Sequence, residues 1–232
     1  MQNPTVSALF QAIAARYDRM NRLISLGQDL RWRRQAAAYL RALQPRRLLD
    51  LAAGTGDFAL AASQTLPSLE EVYLVDITPA MLAYAPAKKP DRPSLTWHIV
   101  EADAHQLPFA EEFFDAITVG FGVRNFSDRL RALQEMHRVL RRGGKALILE
   151  TGLPRHSLWR ALFWVYFRLW VPLLGALIAG HKAAYTYLPE STERFPHREG
   201  FLYLCRKAGF SRSAFHEFMG GVAILYILEK DD

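Results

Sequence analysis

The chain has 232 residues, 50% of them hydrophobic and 22% charged, which allows one well-buried core and excludes two full-sized domains. A single cysteine, Cys205, excludes an intramolecular disulfide framework. The start MQNPTVSALF lacks the basic and apolar runs of a secretory signal, so a reducing cytoplasm is the expected compartment. The formal charge of +6 favours negative partners, either nucleic acid or an anionic membrane face.

The region before Pro45 reads as helices covering a sheet. Short apolar runs predict strands over Arg47 to Ala52, Val72 to Ile77, Leu95 to Val100, Asp115 to Val119 and Lys145 to Thr151. Helical stretches fall between them, notably Phe58 to Leu66 and Asp128 to Leu140, the second closed by Arg141-Arg142-Gly143-Gly144 as a helix stop. This alternation predicts an α/β fold with a doubly wound, mostly parallel sheet. After Thr151 an aromatic and aliphatic stretch runs to Gly180, followed by a loop containing tyrosine and proline and a helix near Arg198 to Ala208. Strands over Ser213 to Phe218 and Val222 to Leu228 suit an antiparallel finish. The basic residues fall in short clusters, Arg31 with Arg33 and Arg34, Arg46 with Arg47, and Arg141 with Arg142. They read as solvated helix ends and faces rather than a nucleic-acid tail.

The first strand runs into Leu49-Asp50-Leu51-Ala52-Ala53-Gly54-Thr55-Gly56-Asp57, a turn whose glycines Gly54 and Gly56 let the backbone approach a ligand. Gly54-x-Gly56-x-x-Ala59 also fits a relaxed dinucleotide fingerprint, but the charges point elsewhere. A pyrophosphate needs the positive end of the next helix, where Asp50 and Asp57 would repel it. S-adenosylmethionine carries an ammonium and a sulfonium that these carboxylates attract, while Asp57 also suits a helix cap. Asp76, at the end of the second strand, is placed to accept bonds from ribose hydroxyls. Asp103, at the end of the third, is placed to accept one from the adenine amine, or to be an ordinary loop acid. No metal site is expected.

These residues bring the chain to a family. Tyr17-Asp18-Arg19-Met20-Asn21 with Leu23, Ser25, Gly27 and Trp32-Arg33, then Phe121-Gly122-Val123-Arg124-Asn125, then Ala184-Tyr185-Thr186-Tyr187-Leu188-Pro189-Glu190-Ser191 with Phe195-Pro196, resemble the motifs of the bacterial demethylmenaquinone and ubiquinone C-methyltransferases. The resemblance covers nearly the whole chain. It implies a seven-stranded class I methyltransferase sheet, an antiparallel last strand and a helical cap insertion. Residues 1–232 would form one domain, with N-terminal helices (1–44), a cofactor-binding half (45–151), a cap and loop insertion (152–200), and a final helix and strands (201–232). It further implies S-adenosylmethionine as cofactor, with Thr55, Asp76, Asp103 and Ala104 at its binding positions; Asp50, Gly54 and Gly56 of the turn, with Ile77 and Gly120, are expected to bind it beside them. Arg124 and Asn125 would stand at the substrate end, and Tyr17, Asn21, Tyr185 and Tyr187 around a prenylated quinol. Two departures stand out: Gly120 lies where some relatives have serine, and Tyr226 and Leu228 lie where relatives usually have histidine and glycine.

The implied reaction carries a methyl group from sulfonium to a ring carbon, from demethylmenaquinol to menaquinol or at the corresponding benzoquinol step. In-line displacement demands positioning and exclusion of water. A phenol with a pKa of ~10 is mostly neutral at pH 7, so a fixed cation beside its oxygen would stabilise the nucleophilic phenolate. Arg124 is the candidate clamp, with a salt bridge bracing its loop as the plainer role. His98, His105 and His181 are the histidines considered as proton acceptors: His98 reads as structural, and His105 and His181 as surface residues. The rival functions are another small-molecule or RNA methyltransferase on the same fold, or a non-catalytic nucleoside- or membrane-binding module. The partners expected are the quinol, an anionic membrane touched peripherally, no nucleic acid, and a second copy of the chain in a homo-oligomer. Ala161 to Ala179 approaches the ~20 apolar residues of a spanning helix and includes Trp164, Tyr166 and Trp170. Arg168 in its middle, at ~2.5 to 3.5 kcal/mol, and Pro172 argue against spanning. A cap is expected instead, its apolar side a greasy entrance and its arginines facing headgroups, with an ordinary core helix pair as the alternative.

Overall fold

The computed structural model describes residues 4–174 and 182–231, and the side chains of 8–174 and 187–231. Among the described residues seven strands form one sheet: β1 (Arg47–Leu51), β2 (Glu71–Asp76), β3 (Thr96–Glu101), β4 (Phe114–Gly120), β5 (Leu140–Thr151), β6 (Arg212–Phe218) and β7 (Ala223–Glu229). Their order is β3-β2-β1-β4-β5-β7-β6. The first five pair in parallel, and β7 runs antiparallel between β5 and β6, as the sequence leads one to expect. The helices are α1 (Pro4–Ser25), α2 (Gln28–Ala38), α3 (Asp57–Thr65), α4 (Pro79–Leu82), α5 (Arg129–Val139), α6 (Ser157–Val165), α7 (Val171–Leu174), α8 (Lys182–Arg194) and α9 (Glu199–Lys207).

Successive side chains of a strand point to opposite faces, so a buried strand must be apolar on both. In β1, Leu49 and Leu51 join a core with Leu133 and Met136 of α5 and Phe201 and Cys205 of α9. Leu48 joins the opposite core with Trp32 and Ala36 of α2 and Phe58 and Ala62 of α3. Burial pushes the Cys205 thiol up to about 12, leaving it a packing residue. A third, smaller core lies off the sheet, where Ile13 and Met20 of α1 meet Phe163, Phe167 and Val171. Strand order reverses between β1 and β4, so their carboxyl ends open a crevice, the usual ligand position in such sheets.

Two expectations are corrected. Residues 141–144 do not stop a helix. α5 already ends at Val139, capped at its start by the Asp128 carboxylate, and the following residues begin β5 as an irregular extension. Phe114 pairs with Leu140 and Ala116 with Lys145, so the intervening residues bulge from the ladder. The chain turns so tightly there that a Cβ on Gly144 would lie 2.8 Å from the Arg141 carbonyl. The stretch from Tyr185 to Ser191, expected as loop, lies within α8 despite Pro189. Proline removes one helical N–H, but Pro189, Ser191 and Thr192 are buried and Ser191 bonds the Leu188 carbonyl at 3.1 Å, so packing outweighs the local preference. Pro172 acts differently: α6 passes into α7 through a π-helical segment, residues 166–170, in which the Val171 N–H reaches the Tyr166 carbonyl. Among the described residues no helix is long and apolar enough to cross a membrane.

Candidate active site

The Gly54–Gly56 turn takes its shape from its own backbone. Both glycines have positive φ, 55° and 84°, and a Cβ on Gly56 would press Leu74 at 3.0 Å and Ala85 at 3.2 Å. Gly56 therefore serves close packing beneath the turn, while Gly54 faces the crevice. The N–H groups that would bind a phosphate are already taken by carboxylates. Asp50 accepts from Ala59 N at 2.9 Å near the start of α3, and Asp76 accepts from Gly54 N at 2.9 Å and Thr78 N at 2.8 Å. A pyrophosphate would have to displace these groups and then face them, so the dinucleotide reading fails on geometry as well as charge. Burial raises both carboxyls, Asp50 to about 7 despite its bonds from Thr118 and Ala59.

Above the turn lies an ion network that sequence reading did not find. Burial would raise the Asp57 carboxyl, but Arg33, Lys88 and Arg22 overcome it and hold it below the usual range. Lys88 Nζ reaches Asp57 at 2.6 Å and Arg22 reaches it at 2.7 Å. Lys88 also bonds the Thr55 hydroxyl at 2.8 Å, and that hydroxyl donates to Asp18 at 2.6 Å. Arg22 and Arg33 share Asp29. Three cations and three carboxylates thus tie α1 and α2 to the turn. The signal was present in Asp18, Arg22 and Asp29, but their partners lie up to 70 residues away in the sequence, from Asp18 to Lys88.

Three openings meet here. A narrow cleft of about 40 Å³ is lined by Ala52, Gly54, Asp76, Thr78, Met81, Gly120, Phe121 and Asn125, among others. A second, of about 20 Å³, holds Arg33, Asp50, Thr55 and Asp57. A third, of about 390 Å³, is walled mainly by apolar groups from α1, α6 and the π-helical segment, with Asn21, Arg124 and Tyr187 among its polar members. Tyr17 lines all three. Burial raises its phenol, against a bond from Asn21.

Of the expected residues, Asp50, Gly54, Thr55, Asp76 and Gly120 border the two polar clefts. Ile77, Asp103 and Ala104 line none of the three openings, and Ala104 belongs to the core. Thr78, Met81 and Phe121 do line them and were not foreseen. Arg124 pairs with Glu150 at 2.9 Å with both side chains buried, and also bonds the Phe121 carbonyl at 2.6 Å, so the bracing role is real. Its Nε has no partner. Asn125 accepts a bond from the Tyr187 hydroxyl at 3.0 Å, joining the small cleft to the large cavity. Burial raises the Tyr187 phenol. The Tyr185 side chain lies outside the described residues, as does His181. His105 is not a surface group: it is tucked against Asp103, and its Nε2 accepts from Asp128 N at 3.2 Å, which ties the loop after β3 to α5. Burial would raise Asp103, but its bonds from His105 outweigh this and leave it lowered. His98 stacks on Tyr73, 4.3 Å between ring centres, in β3 at the edge of the sheet, and lines none of the three openings.

The fold recurs in known proteins. The fold resembles a Thermotoga maritima SAM-dependent methyltransferase, with a TM-score of 0.68 at 20% identity over 97% of this chain and 100% of that one. It also resembles human N-acetylserotonin methyltransferase in complex with SAM, with a TM-score of 0.66 at 18% identity over 97% of this chain and 59% of that one. In sequence, the chain is 44% identical to the demethylmenaquinone methyltransferase of Thermus thermophilus over 96% of this chain and 100% of the relative. It is 37% identical to the ubiquinone/menaquinone biosynthesis C-methyltransferase UbiE of Geotalea uraniireducens over 97% and 96%. The model of the ubiE/COQ5 methyltransferase family matches residues 1–230, and the chain belongs to that family.

Proposed function

We propose that the protein transfers a methyl group from S-adenosylmethionine to a ring carbon of a prenylated hydroquinone, converting demethylmenaquinol to menaquinol. The observation that carries this is the meeting, at Tyr17, of clefts lined by carboxylates with an apolar cavity of about 390 Å³. A nucleoside without phosphate suits the first and a ring with a prenyl tail suits the second. The relatives named as demethylmenaquinone methyltransferases support the naphthoquinol over the benzoquinol.

The bound donor supplies an electrophilic methyl on a sulfonium. This chain's residues do the positioning. Asp76, held by the Gly54 and Thr78 backbone N–H groups at the lip of the narrow cleft, presents its carboxylate to ribose hydroxyls. Asn125 and Tyr187, bonded to each other, set the wall against which the ring lies. Arg124 stands in the cavity wall, fixed by Glu150 and with Nε unengaged, and its guanidinium stabilises negative charge on the ring oxygen. The third small core, Phe163 and Phe167 against α1, keeps water from the reacting atoms.

The cavity opens among exposed apolar residues: Leu26, 77% exposed, with Trp159, Leu162 and Met219. The outward face of α6, the π-helical segment and α7 continues this surface through Leu158, Val165, Leu169, Trp170 and Leu173. A stripe of this kind at the mouth of a lipid-sized cavity fits a bilayer surface. Arg168 and Arg155 bind Glu193 and Glu217, whereas Arg160 bonds only backbone carbonyls and keeps its charge for anionic headgroups. The test of the acceptor is the quinone content of cells lacking the gene. Demethylmenaquinone should accumulate and menaquinone return with the gene; unchanged menaquinone would refute the assignment.

A further inference from the structure

A guanidinium carries five donors, and one left unpartnered in the interior is costly unless a ligand completes it. Arg33 is such a group. Its side chain is 4% exposed, on a helix that packs against α3. Nη1 donates to the Asp29 carboxylate at 2.8 Å and to the Asp29 carbonyl at 3.1 Å. The guanidinium lies over Phe121, 5.0 Å from the ring centre, and Nε is buried with no partner.

Its surroundings say what is missing. Arg33 lines the smallest of the three openings together with Gly120, Phe58, Asp50, Gly54 and Thr55. Gly120 keeps that approach open, since a Cβ there would lie 3.1 Å from Phe58 and 3.6 Å from Arg33 Nε. Of the two carboxylates in the cleft, Asp57 is answered by Lys88 and Arg22, whereas Asp50 accepts only neutral donors, Thr118 at 2.8 Å and Ala59 N at 2.9 Å. The cleft thus presents a carboxyl that takes no hydrogen bond from a charged donor and a cation with an idle N–H. A group bearing an ammonium and a carboxylate on one carbon, the amino-acid end of a molecule, matches both.

We propose that Arg33 receives the α-carboxylate at the methionyl end of the methyl donor, with the α-ammonium directed to the Asp50 side of the cleft. The inference rests on the reading of S-adenosylmethionine as donor. Asp29 acts as a positioning residue, holding the guanidinium across the cleft while Nε and the free face of the fork meet the carboxylate. The sequence offers only Trp32-Arg33 in a helix, with nothing to show that α2 turns this side chain toward the carboxyl end of β4.

Calorimetry with S-adenosylmethionine and with decarboxylated S-adenosylmethionine separates the two claims, because the second ligand keeps sulfonium and ammonium and lacks only the carboxylate. The wild-type protein should bind the decarboxylated donor about tenfold to a hundredfold more weakly, the scale of a charge-assisted bond. In Arg33→Met the ratio of the two affinities should fall toward one, because only the ligand with the carboxylate loses a partner. Arg33→Lys, which keeps the charge in case the methionine variant does not fold, should retain only part of the discrimination. Equal wild-type affinity for the two donors, undiminished discrimination in Arg33→Met, or a parallel loss of both ligands would overturn the assignment. Failure of the wild type to bind either donor would instead strike the donor reading itself.

Discussion

The rim beneath α1 and the cap formed by α6 and α7 face the same helix but are held to it by opposite physics. On the rim side, Asp18, Arg22, Asp29, Arg33, Asp57 and Lys88 interlock through bonds of fixed direction. On the cap side, Ile13 and Met20 meet Phe163, Phe167 and Val171 by non-directional packing, and apolar surface is left facing outward. A small, highly charged ligand must be held in one pose, and directional bonds do that. A flexible prenyl chain needs only a greasy volume with an open end, and packing supplies it at little cost in specificity.

Removing a directional partner should therefore hurt more than trimming an apolar one, and Glu150→Ala should give the largest effect. It strands Arg124 without its buried counter-ion and also frees the Arg124 N–H, which should cost about 3–5 kcal/mol in urea unfolding. A loss under about 1 kcal/mol would mean the pair is not a brace. On the cap, Leu169→Ser should leave folding untouched, since the side chain is 65% exposed, yet weaken sedimentation with anionic vesicles by up to about 1.5–3 kcal/mol. Equal sedimentation of variant and wild type would remove the stripe from the membrane contact. Asp76→Ala should weaken donor binding by about 1–3 kcal/mol without changing the KM for quinol, and unchanged donor affinity would move the ribose contact elsewhere.

The smallest expected effect is on pH. With its carboxyl raised from 3.8 to about 7, Asp50 keeps its proton in the fold after the unfolded chain has lost it. Its contribution to stability is therefore greatest below the unfolded value, declines as pH rises from about 4 toward about 7, and is flat above. Donor binding should run the other way, because the ammonium prefers the ionised carboxyl. Affinity should rise by up to about tenfold from pH 6 to pH 8 with proton release, and Asp50→Asn should abolish that slope. A slope that survives the substitution assigns the proton to another group.

The sequence discloses the two sides unequally. Strand ends are legible because apolar runs of five to seven residues with Asp50, Asp76 or Gly120 at or next to their ends have few other readings. α8 is misread because Pro189 argues locally for a loop, and the burial of Pro189, Ser191 and Thr192, with the bond from Tyr187 to Asn125, outweighs that local preference. Arg33 and Lys88 escape notice for a related reason: a charge in a helix or turn reads as solvated until tertiary contacts bring it against Asp29, Asp57 or Thr55. Asp103 and Ala104, carried over by resemblance, line none of the three openings: Ala104 packs in the core and His105 already bonds the Asp103 carboxylate.

The central claim is that the polar clefts and the apolar cavity are two ends of one reaction path joined at Tyr17. The most direct measurement follows the methyl itself: purified protein on anionic vesicles containing demethylmenaquinol, supplied with S-adenosylmethionine bearing a deuterated methyl, with the quinone analysed by mass spectrometry. The whole labelled methyl should appear on the quinone ring, and an RNA transcript in the same mixture should gain none. Label on the RNA, or a donor that binds while the quinol stays unlabelled, would contradict the claim.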